Sequence, residues 1–198
     1  MRGIIPAVAL CLLPIVATSA TAQSASSTEQ IRQATSALPA VLRADATVIR
    51  YDAKGLPVVL RQGTNGIFCT PNTSTDSFAV ACRSMMTRPT ADFQAKEKAA
   101  GKDAKAIAAD TDAAYASGSL KRPAPGSITY LRNGKTEAEA KPMWVVFIPN
   151  AKAEDLGLPA KRVNSTSPWM MLSGTPRAHI MMPQTASMDE LPPPAKGM

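Results

Sequence analysis

The chain has 198 residues, of which 45% are hydrophobic and 5% aromatic, and carries a formal net charge of +7. That length suits one domain and allows a real core without many covalent staples. Basic residues alternate with acidic ones, as in Lys96–Lys105, and aromatics are scarce. This argues against a nucleic-acid groove, which needs a basic stripe with stacking rings.

Arg2 precedes an apolar run from Ile4 to Val16, and Ala20-Thr21-Ala22 offers the small-x-small pattern of a signal-peptidase site. Together they predict an export signal over residues 1–22, cleaved after Ala22. The run is shorter than the roughly 20 residues that span a bilayer, and no later stretch is longer. No transmembrane segment is therefore expected after cleavage. Cys11 follows Leu10 rather than a small residue, which argues against a lipid anchor. The expected location is periplasmic or secreted.

Residues 23–28 read as a polar, Ser-rich linker and residues 29–183 as one α+β domain. Within it, Thr28–Ala44 has helical spacing, with Ile31, Ala34 and Leu38 on one stripe and a break at Pro39. From Ala46 the period changes to two. Three β-rich runs around Val48, Val59 and Phe68, separated by Ala53-Lys54-Gly55 and Gly63-Thr64-Asn65, predict an antiparallel meander. Cys69 falls on the third strand, and Ser77–Met86 reads as a short helix carrying Cys82. These are the two cysteines that survive cleavage. An exported pair most simply forms a disulfide, worth about 3 kcal/mol for so short a loop. Neither CxxC spacing nor a neighbouring histidine supports a metal or redox pair.

Arg88–Gly118 is Ala-rich and charged. Thr90 and Asp103 read as N-caps, Gly101 as the break between two helices, and Phe93, Ile107 and Tyr115 as the large anchors of a peripheral pair. Two further strands flank the Asn133-Gly134 turn. A short helical turn follows near Glu154, then two more strands within Ser167–Pro183. Residues 184–198 form a Pro-rich tail. The expected fold is an antiparallel sheet of about five to seven strands with several short peripheral helices and one disulfide.

No catalytic motif stands out. A Ser-His-acid set or a zinc site would have to use His179, the only histidine. Asn133-Gly134-Lys135-Thr136 lacks the upstream glycine of a phosphate loop. Asp110 and Asp112 do not share a helix face. His179 lies among four methionines and Trp169, and thioether plus imidazole suits Cu(I) or Ag(I). In a hairpin with Leu172 opposite Arg177, Met170 faces His179, with Met181 two residues along. Those three would form the metal site, while Trp169, Met171, Ala178, Ile180 and Met182 would form core. The competing reading makes the methionines packing groups only. The expectation is a non-catalytic binding or structural module, without cofactor, whose partner is an unidentified ligand or envelope protein. Soft-metal binding and a hydrolase without a recognisable motif are the alternatives.

Overall fold

A computed structural model describes the backbone of residues 19–184 and the side chains from residue 27 onward. Most of the expected signal segment and all but the first residue of the expected Pro-rich tail lie outside the described residues. Helix α1 (Ser19–Thr35) includes residues 23–28, which had read as a linker, and a short helix α2 (Ala40–Arg43) follows. Among the described residues, no helix is long and apolar enough to cross a membrane.

Eight strands build one sheet: β1 (Thr47–Tyr51), β2 (Pro57–Arg61), β3 (Ile67–Thr70), β4 (Phe78–Ser84), β5 (Ile128–Gly134), β6 (Lys141–Phe147), β7 (Trp169–Met171) and β8 (His179–Pro183). Their order is β2-β1-β3-β4-β5-β6-β8-β7. The α+β class holds, with one strand more than the upper expectation. All neighbours are antiparallel except β1 and β3, which run parallel. The first three strands are thus not a meander. The reason lies at Gly63: a Cβ there would stand 2.2 Å from the Asp45 carbonyl oxygen. Only glycine lets the chain cross the start of β1, where Gly63 N–H donates to Thr47 Oγ1 at 3.0 Å.

The segment expected as a helix around Cys82 is strand β4. Its alternate residues Phe78, Val80 and Cys82 join the core under α1, with Ala34, Leu38, Val48 and Cys69. Period two was present, but the small alanines between these residues hid it. Cys69 and Cys82 are direct cross-strand partners and form the disulfide, so the bridge pins β3 to β4 rather than a sheet to a helix.

Helices α3 (Arg88–Ala99) and α4 (Ala104–Ser117) lie over the opposite face of the sheet. Asp103 caps α4, its side chain accepting from the Ala106 N–H at 2.8 Å. Thr90 does not cap α3, which starts two residues earlier. Instead it is buried and accepts a hydrogen bond from Tyr115 Oη at 3.1 Å.

Candidate functional site

Strand alternation puts Ala79, Ala81 and Arg83 of β4 beneath the α3–α4 pair. Thr129 and Leu131 of β5 stand beside Arg83 and Ala81 in the register. Most of these side chains are short, and the two helices facing them are rich in alanine. Short side chains on both layers cannot fill the space at ordinary interior density. A pocket of about 200 Å³ and a more open groove of about 580 Å³ result, both lined by Arg83, Ala91, Gln94 and Arg177.

Contacts hold the helix pair mainly around the rim of this hollow. On one side, Tyr51 donates its hydroxyl hydrogen to Asp92 Oδ1 at 2.7 Å, and Arg88 Nε pairs with the same oxygen at 2.7 Å. Gly55, in the β1–β2 turn, comes so close that a Cβ would lie 2.5 Å from the Ala95 carbonyl oxygen. Gln94 Nε2 donates to Thr111 Oγ1 at 3.3 Å, joining α3 to α4. On the far side, Arg177 Nε pairs with Asp112 Oδ1 at 2.7 Å and ties the β7–β8 connection to α4. Leu172, in that connection, lines the pocket with φ at +55°. A left-handed backbone is costly for leucine. It is held there by Thr175, whose backbone N–H and hydroxyl both donate to the Leu172 carbonyl, at 3.1 and 2.7 Å.

Arg83 is the unusual group. Its side chain is half-buried between the sheet and α3, on the lining of both the pocket and the groove, and the partial loss of water pushes its pKa down. Among the described residues it makes no ion pair and no hydrogen bond. Tyr51 is the single group whose charge would offset that burial. Burial and the bond to Asp92 raise the Tyr51 pKa well above the usual tyrosine range, so it is neutral at physiological pH. Arginine stays protonated under such pressure. The cation therefore faces the hollow without a counter-charge. No aspartate or glutamate among the described residues lines the pocket or the groove. Thr129, opposite Arg83 on β5, is also buried, and its hydroxyl has no hydrogen-bond partner among the described residues.

Of the three residues of the expected metal site, His179 and Met181 share a face of β8 and Met170 is turned to the other. Strand β7 pairs with β8 one residue out of the expected register: Trp169 faces Met181, Met170 faces Ile180, and Met171 faces His179. A one-residue slip sends alternate side chains to opposite faces. Met170 is fully buried in a small cluster with Ala153 and Ala178. His179 and Met181 are on the other face, and His179 lines the pocket. The His179 Nδ1 lies 2.7 Å from the Arg177 carbonyl oxygen, so Nδ1 carries the hydrogen, and the ring stands 5.6 Å from Phe147. No serine hydroxyl or carboxylate among the described residues bonds to it, as a triad would need.

Arg83 was not among the candidates read from the sequence. A lone arginine in a short apolar run carries no motif, and its lack of partners exists only after folding. The available signal was indirect: an alanine-rich helix pair with three large anchors cannot fill a sheet face. Comparison with family models, curated proteins and solved structures finds no match for this chain.

Proposed function

We propose that the chain is an exported, non-catalytic binding module whose ligand occupies the hollow between the sheet and the α3–α4 pair. The observation that carries this reading is the uncompensated Arg83 lining both parts of the hollow. A charge removed from water is costly unless something pairs with it. A binding cavity gives it a partner, and a packing defect does not. Export is supported by the amino-terminal pattern and by a disulfide, the bond of oxidising compartments.

A hydrolase reading finds less support. Asp110 and Asp112 are engaged elsewhere, with Lys102 and Arg177, and no aspartate or glutamate among the described residues lines the hollow. Soft-metal binding by His179, Met170 and Met181 finds none in the register of β7 and β8.

Ala91 lines both the pocket and the groove, so Ala91→Trp fills their shared space. Amide spectra of the labelled protein are recorded with a panel of small neutral, cationic and anionic compounds. Binders are expected to move resonances of β4, β5 and α3 in the parent and to leave the Ala91→Trp protein unchanged. Silence across the panel, or binding that ignores the tryptophan, would rule out the hollow as the site.

A further inference from the structure

We propose that the ligand is a small organic monocarboxylate, held through its carboxylate by Arg83 and the Thr129 hydroxyl. This rests on the reading of the hollow as a binding site and names the chemistry it selects.

Charge comes first. The cationic side chains lining the hollow are Arg83, Arg177 and Lys98, and no described acid lines it. Arg177 is already neutralised by Asp112 at 2.7 Å. Lys98 is exposed at the groove and keeps its water. One half-buried positive charge remains unmatched, at Arg83. A monoanion cancels it, whereas a dianionic phosphate would bring a second negative charge into a site with nothing to offset it.

Hydrogen-bond geometry selects the head group. A guanidinium presents a planar fork of N–H donors that matches the two oxygens of a carboxylate. Thr129 is the cross-strand partner of Arg83, and such neighbours have their Cβ atoms about 5 Å apart. Its unengaged hydroxyl is thus placed to donate to the same anion. Thr90, which accepts from Tyr115, retains its own hydroxyl hydrogen as a further donor at the wall of the pocket.

The rest of the lining selects the body. Ala91 and Phe147 are apolar walls of the pocket, and Leu172 lies at its edge. A volume of about 200 Å³ falls below the roughly 300–1,000 Å³ of sites for drug-sized ligands. A compact acid fits, with the open groove beside it for a longer chain.

The test pairs acids with their own amides. Hexanoate, hexanamide, benzoate, benzamide and inorganic phosphate are titrated into the labelled full-length protein, its Arg83→Met variant and its Thr129→Val variant. Expected are saturable shifts at Arg83, Ala91 and Thr129 for both acids and none for the amides. In Arg83→Met the acids should weaken at least about tenfold, the loss of one charged hydrogen-bond interaction. Thr129→Val retains the charge and should weaken the acids by a smaller factor, which keeps the test informative if Arg83→Met does not fold. Acids and amides binding alike, a preference for phosphate, or acid binding unaltered by Arg83→Met would each overturn the assignment. If amides bind and Ala91→Trp abolishes them, the hollow stands as a site and the carboxylate chemistry falls. If no probe binds at all, both fall.

Discussion

Arg83 concentrates the physical tension of this molecule. Folding takes its guanidinium partly out of water and supplies no hydrogen-bond partner among the described residues, so the hollow is less stable than an apolar one would be. Arg83→Met conserves most of the volume and removes the charge. It is expected to raise the thermal midpoint of the ligand-free protein by about 2–4 °C per kcal/mol gained. A lower midpoint would mean that the charge is compensated. Tyr51 offers a second check. Its folded pKa is raised, so the folded state holds its proton after the unfolded chain has released one near the ordinary value of about 10. Its contribution is complete below that pH and is lost as pH rises toward the folded pKa. An ultraviolet titration should show a late tyrosine step that Tyr51→Phe removes; three tyrosines titrating together near the ordinary value would contradict this. Neither residue announced itself in sequence, because what distinguishes each is a surrounding assembled from distant segments.

Among the elements, what could be read locally was read well. Asp103 caps its helix, Gly101 breaks the pair with φ at +84°, and the two strands near residue 134 pair as a hairpin, although Asn133-Gly134 ends β5 and the connection runs over residues 135–140. Readings that depended on long-range partners failed for traceable reasons. Strand β4 shows period two, but alanine on its second face resembles a helix former. Register in β7–β8 shifts by one residue, enough to separate Met170 from His179. The helix pair is positioned by close backbone approach as much as by side chains. Gly55 has φ at +72° and abuts Ala95. Gly55→Ala should therefore destabilise by about 1–3 kcal/mol, the range for overpacking, in a chemical denaturation experiment. A change within error would show that α3 has freedom to move away.

At the scale of the whole molecule, the two sheet faces have different roles. One is closed by α1 over a continuous apolar core tied by the Cys69–Cys82 bridge. The other is roofed by alanine-rich helices fastened mainly at the rim, and the space left beneath them is where the charge sits. Composition made the α+β class and the disulfide legible; it could not show that small residues on two layers would meet. The most direct test observes the Arg83 Nε–H resonance during titration with benzoate. Binding in the hollow predicts a saturable shift of that side-chain signal, in step with the Thr129 amide. Benzoate that saturates elsewhere while the Arg83 side chain stays unchanged would contradict it.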